Sequence, residues 1–153
     1  MRKCLIALFW GCYFLCVSCA SHKNGTYDTD DSHTQNKLGV KYLLGQGVVQ
    51  DDAIAFSWFE KSAAQGNPYA ENELGYLYAA GRGVAQNNVI ALQWYQKAAD
   101  HGLASAQYNA GLMYANGIGT PIDKVKAKQL FQMAASHGFE PAHKALAQLD
   151  KAQ

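Results

Sequence analysis

The sequence predicts an all-α protein: about three antiparallel helix pairs stacked in a row and closed by a single C-terminal helix. Three observations lead there. The phrase Leu38-Gly39-Val40-Lys41-Tyr42-Leu43-Leu44-Gly45-Gln46-Gly47-Val48 returns 36 residues later as Leu74 to Val84, and once more from Ala110 to Gly119. Residues 34–69 and 70–105 agree at 14 of 36 positions without a gap, and self-similarity at such a period means stacked supersecondary units rather than one globular core. Within each unit, apolar residues keep helical spacing up to a Gly-x-Gly break and resume it after an Asp or Asn that can cap a helix. The repeat body reads as 34–150, with units 34–69, 70–105 and 106–141 and a cap at 142–150.

The N-terminus reads as an address. Met1-Arg2-Lys3 is a positive start, and Cys4 to Val17 is an apolar run too short for a bilayer, which takes about 20 residues. Small residues follow at Ser18-Cys19-Ala20-Ser21, so residues 1–18 form a signal peptide. Val17-Ser18-Cys19 resembles the end of a bacterial lipoprotein signal, although Cys16 stands where leucine is usual. That resemblance makes Cys19 the lipidation site; the alternative is an ordinary cleaved signal with an incidental cysteine. Ala20 and Ser21 carry no acidic retention signal, which under the same resemblance points to the periplasm or the outer membrane. All four cysteines lie in the first nineteen residues, so the body has neither a disulfide framework nor a cysteine metal site.

Residues 19–33 are polar, with Tyr27 the one aromatic, and form a tether that cannot order itself by burial. His22, Asp28, Asp30, Asp31 and His33 share no metal-binding spacing, and no metal or cofactor is expected.

The second unit shows how each hairpin is built. Asn67 can cap and Pro68 suits the first helical turn, so helix A runs from about Pro68 to Ala80 with Ala70, Leu74, Leu77 and Tyr78 in register. Gly81-x-Gly83 ends it. Asn87 or Asn88 caps helix B, as Asp51 and Asp123 do in the neighbouring units. Helix B carries Ile90, Ala91, Trp94, Tyr95, Ala98 and Ala99 on one face and closes at Gly102.

Gly39, Gly75 and Gly111 fall inside helix A, where glycine costs about 1 kcal/mol against alanine. Their recurrence beside invariant Tyr42, Tyr78 and Tyr114 predicts close helix-to-helix approach. Ala55, Ala91 and Ala127 make the same argument from helix B, and Trp58 and Trp94 are expected as wedges between units. The tail restarts the pattern at Gly138 without a second helix. Ala142, Ala145, Leu146 and Leu149 form one stripe, with His143, Lys144, Gln148 and Asp150 outside, as a closing helix requires.

These phrases resemble the Sel1-like repeat, a relative of the tetratricopeptide repeat. Its pattern of Leu-Gly-x-x-Tyr, Gly-x-Gly-Val and Ala-x-x-Trp-Tyr-x-Lys-Ala-Ala is met nearly residue for residue from Leu74 to Ala99. The first unit departs at Phe59 and Ser62, the third at Ala110, Thr120, Leu130 and Met133. The resemblance implies a right-handed α-solenoid whose helices A line a concave face, acting as a scaffold or adaptor for other proteins. A cysteine-rich branch of the family is linked to β-lactam binding or hydrolysis; the repeat cysteines are absent here, so that activity does not carry over.

Charge excludes little else. There are 13 basic and 12 acidic residues, without the basic excess of a nucleic-acid footprint. No catalytic constellation or phosphate loop appears, and the Gly-x-Gly pairs follow helices rather than strands. His101 and His137 sit where they can interact with helix C-termini, and Glu71 and Glu73 point to different faces. Positions that vary between units on helix A are free for recognition. Tyr69, Asn72, Tyr76, Tyr108 and Leu112 would line an aromatic and amide groove for a protein partner; alternatively, Tyr76 and Leu112 pack against the adjacent helix. The reading is a non-catalytic, envelope-anchored interaction protein.

Overall fold

The computed structural model describes residues 29–151; the signal segment, Cys19, His22 and Asp28 lie outside them. Seven helices follow in order: α1 (Ser32–Leu44), α2 (Asp52–Ala64), α3 (Pro68–Ala80), α4 (Asn88–Asp100), α5 (Ala104–Asn116), α6 (Lys124–Ser136) and α7 (Glu140–Lys151). There is no strand among the described residues. Each helix packs mainly on its sequence neighbours, so the hairpins α1–α2, α3–α4 and α5–α6 form an α-solenoid ending in α7.

The helix ends are chemical. Asp31, Asp51 and Asp123 accept a backbone N–H three residues on through their carboxylates, and Asn67 and Asn87 do the same through their amides, satisfying donors that a helix start leaves open. Leu103, before α5, offers no such bond. Helices α1, α3 and α5 end at Gly45, Gly81 and Gly117 with φ of 69°, 68° and 70°, the left-handed conformation that glycine adopts most cheaply. Helix α3 keeps the bounds its spacing predicts. Asp31 caps α1, so Ser32 and His33, expected ahead of the repeats, stand in the first helical turn. Likewise α7 begins at Glu140, ahead of the expected cap.

Close approach at the helix A glycines is real, with a different partner. A Cβ on Gly39 would stand 2.6 Å from the Phe59 ring, on Gly75 2.7 Å from the Tyr95 ring, and on Gly111 2.6 Å from the Phe131 ring. The wedge within each unit is therefore the residue after the tryptophan position. One residue turns a helix by about 100°, and that rotation moves Trp58 and Trp94 off the glycine. Both tryptophans are half-buried, with Lys61 Nζ 4.4 Å and Lys97 Nζ 5.1 Å from the ring centroids. Trp94 still packs against the core shared by the first two units.

The second turn glycine joins one unit to the next. A Cβ on Gly83 would fall on the Asp52 backbone carbonyl, and one on Gly119 on that of Asn88; at Gly47 it would meet only the Lys41 side chain, 4.0 Å away. All three have positive φ. Gly47→Ala is expected to cost about 1–2 kcal/mol from backbone strain alone. Gly83→Ala should cost a further ~1–3 kcal/mol from the clash. Urea denaturation of the two variants measures the difference, and equal costs would refute the assigned contact.

Candidate partner-binding face

On α3, Tyr69, Asn72 and Tyr76 lie three and four residues apart and so share one side of the helix. Tyr69 is 55% exposed and Tyr76 40%. Asn72 is tied to the next unit, its Oδ1 accepting from Asn109 Nδ2 of α5 at 3.1 Å. Asn36, at the same place on α1, has a buried Oδ1 without a hydrogen-bond partner.

Tyr76 is held from the side. Its hydroxyl accepts from Arg82 Nη1 at 3.3 Å, and the guanidinium carbon lies 5.9 Å from the ring centroid. Arg82 meanwhile grips Asp52 of α2 with two bonds, Nε to Oδ2 at 2.9 Å and Nη2 to Oδ1 at 2.6 Å. This fork geometry suits a carboxylate. The guanidinium, first through its hydrogen bonds, holds the Asp52 carboxyl below its usual range. One arginine thus fastens the first unit to the second and steadies the exposed tyrosine.

Tyr108 and Leu112 are half-buried against the last unit. The Tyr108 ring lies 5.7 Å from Phe131 and 5.3 Å from Phe139, and both residues pack against the core of the last unit. Phe139 occupies the place held by Asp31 and Asn67 before earlier helices A, and it covers Tyr108 instead of capping. Leu112 lines a cavity of about 270 Å³ with Phe131, Ala145 and Leu149 among its other walls. Of the five residues expected to line a groove, Tyr69 and Tyr76 on α3 are the exposed ones, with Asn72 between them.

Sequence reasoning missed two carboxylates at this level of detail. Glu71 is fully buried; its Oε2 lies 2.9 Å from His101 Nδ1 and its Oε1 3.1 Å from Lys97 Nζ. His101, expected only to face its helix end, latches the two helices of its unit. The first unit does this with neutral groups, Gln65 Nε2 donating to Gln35 Oε1 at 2.8 Å. Recurrence of Gln35, Glu71 and Gln107 at one repeat position was the available signal. Glu73, facing away from Glu71 on the side of α3 that carries Tyr69 and Tyr76, is half-buried and enters no ion pair among the described residues. Burial holds its carboxyl above the usual range, opposed by a hydrogen bond from Asn72. Burial first, then the charges of Glu73 and Tyr76, pushes the Tyr95 hydroxyl up as well.

Among the described residues, no three His, Cys, Asp or Glu side chains are grouped to hold a metal ion. The site offers aromatic faces, amides and one desolvated carboxylate, which is the chemistry of recognition.

Geometry defines the class first: an α-solenoid of stacked helical hairpins with an exposed aromatic and amide patch. The Sel1 repeat family model matches residues 32–67, 68–103 and 104–139, and the chain belongs to that family, whose repeats generally serve as protein-interaction scaffolds. It has no match among curated proteins. Among solved structures, it is similar to c5321, described as a protective antigen of uropathogenic Escherichia coli strains with an SLR fold. The TM-score is 0.74 at 36% identity, over 78% of this chain and 26% of that one. A Sel1 repeat protein from Oxalobacter formigenes gives 0.75 at 36% identity, over 77% and 47%. Helicobacter pylori cysteine rich protein B gives 0.64 at 21% identity, over 80% and 99%, a likeness of fold alone. The chain thus spans less than half the length of the first two.

Glu73 makes the stability of this face depend on pH. A carboxyl whose folded pKa is raised binds its proton more tightly when folded, so stability is greatest below the ordinary value near 4.5 and declines as pH rises through the raised one. Glu73→Gln should remove that decline and leave the protein more stable at neutral pH. Thermal denaturation from about pH 4 to about pH 8 tests this; a variant that loses stability at neutral pH would contradict it.

Proposed function

We propose that this protein is a non-catalytic adaptor of the bacterial envelope that holds a protein partner against the α3 face. The observation that carries the reading is the pair of exposed tyrosines, Tyr69 and Tyr76, flanking Asn72 on a helix whose other side is buried. Aromatic side chains supply large contact area at low entropic cost, and tyrosine is enriched where binding energy concentrates. The arginine bridge and the amide pair fix this patch in advance, which lowers the ordering cost of binding. Export and anchoring are supported by the sequence pattern around Cys19. A cell-wall or β-lactam enzyme is disfavoured because residues 20–153 contain no cysteine.

Crosslinking in cells, followed by mass spectrometry, should recover a discrete protein partner from the full-length chain and lose it with Tyr69→Ala/Tyr76→Ala. Partners that persist in a folded double variant would move the binding face elsewhere, and recovery of cell-wall fragments alone would overturn the adaptor. Cys19→Ser should shift the protein from the membrane to the soluble fraction; unchanged membrane association would remove the lipid anchor from the reading.

A further inference from the structure

Helix α1 has no helix packed ahead of it among the described residues, and its leading face differs from the same face of later units. Where α3 and α5 bury Ala70 and Ala106, α1 has Thr34; where they bury Leu77 and Met113, it has Lys41. Leu38 keeps the apolar character of buried Leu74. Together with Lys37 and Gln46, these residues line an open cavity of about 310 Å³. The glycines confirm the orientation, since Gly83 and Gly119 press on a preceding unit while Gly47 meets none.

Two aromatics complete the face. Tyr78 meets Phe56 of the preceding hairpin, ring centroids 5.5 Å apart; its equivalent Tyr42 packs on its own unit's core and, half-buried, has no preceding ring among the described residues to cover its other side. Trp94 packs against the first two units' core; its equivalent Trp58 is half-buried with no described unit ahead of it, and Lys61 lies over its ring. Lys37, Lys41 and Lys61 enter none of the ion pairs between described residues. Of the nearby acids, Asp52 is paired with Arg82 of the following unit, while Asp31 and Asp51 are held at helix N-termini by cap bonds that orient a carboxylate without neutralising it. Glu60 corresponds to Gln96, which reaches forward to Tyr114 of the next unit.

We propose that this leading face rests on an anionic phospholipid surface. The proposal rests on the reading of Cys19 as a membrane anchor. Residues 20–31 separate Cys19 from α1, and a stretch of that length spans at most about 40 Å, which keeps this end of the solenoid near the bilayer. Lysines extend apolar stems over a surface such as Leu38 and present their charge to phosphate. Tyrosine and tryptophan suit the headgroup layer, with one wet end and one apolar body. A second copy fits poorly, because the outward side of α7 carries exposed Lys144 and Lys151, which would oppose Lys37 and Lys41.

The test uses the full-length chain processed in cells and reconstituted in phosphatidylethanolamine–phosphatidylglycerol vesicles containing brominated lipid, with tryptophan fluorescence as the readout. Quenching of about half the signal is expected, as for a tryptophan at headgroup depth. Trp58→Phe should abolish most of the quenching and Trp94→Phe should keep it. Lys37→Gln/Lys41→Gln/Lys61→Gln should make quenching equal in anionic and neutral vesicles. No quenching, quenching that survives Trp58→Phe, or crosslinks joining this face to a second copy or another protein would overturn the proposal. If the processed chain proves unanchored, the same comparison is read after adding it to excess vesicles. Quenching there upholds the face without the anchor, and its absence refutes both. The Tyr69/Tyr76 crosslinks report separately on the adaptor.

Discussion

The structure depends on one contact made three times: a glycine in the first helix of each hairpin lying flat against an aromatic ring of the second. No side chain fits between Gly75 and Tyr95, or between the corresponding pairs. The ring substitutes for the missing glycine side chain, and the backbones come close enough for the small residues Ala55, Ala91 and Ala127 to be fully buried. The local loss of helix propensity at glycine is about 1 kcal/mol, and burying a large side chain returns about 1.5–3 kcal/mol. Packing therefore overrides propensity at the very position where a helix would otherwise prefer alanine.

Between hairpins the contacts are more varied. The first joint uses the Arg82–Asp52 fork and the Phe56–Tyr78 edge contact. The second uses a hydrogen bond from Gln96 to the Tyr114 hydroxyl at 2.6 Å. The turn glycine, crossing the carbonyl of the preceding helix start, is common to both, as are the buried apolar positions Ala70/Ala106 and Leu77/Met113. A repeat stack can vary its joints in this way because each unit contacts only its neighbours. The last joint ends the series: Ala142, Ala145 and Leu149 turn inward from α7, while Lys128 Nζ clasps Asp150 at 2.6 Å from outside.

Much of this was legible in the sequence because glycine, asparagine and aspartate at helix ends act locally. The period, the bounds of α3, the caps at Asp51, Asn87 and Asp123 and the inward stripe of α7 all follow from such signals. The ring that meets each glycine was not legible, because Trp94 and Tyr95 are adjacent and periodicity alone does not resolve one helical step. The cover over Tyr108 was hidden for another reason. It comes from Phe139, which like Leu103 stands where Asp31 and Asn67 cap, so extending the repeat logic made Tyr108 look as open as its neighbours. The Glu71–His101 latch was hidden because each unit closes its own hairpin with different chemistry, Gln35–Gln65 in the first and Glu71–His101 in the second.

These contacts separate what the repeat must keep from what it can vary. Positions that meet the glycine or the turn carbonyl are constrained in every unit, and they leave no room for recognition. Asn72, Glu73 and Tyr76 lie where Asn36, Lys37 and Val40 stand in the first unit and Tyr108, Asn109 and Leu112 in the third, so packing does not dictate their chemistry. Glu73 is the sharpest case. A half-buried carboxylate opposed by desolvation is a liability for folding, and Lys37 and Asn109 show that the fold does not require an acid there. That cost falls on the same helix side as the two exposed tyrosines, where the scaffold leaves the choice of side chain open.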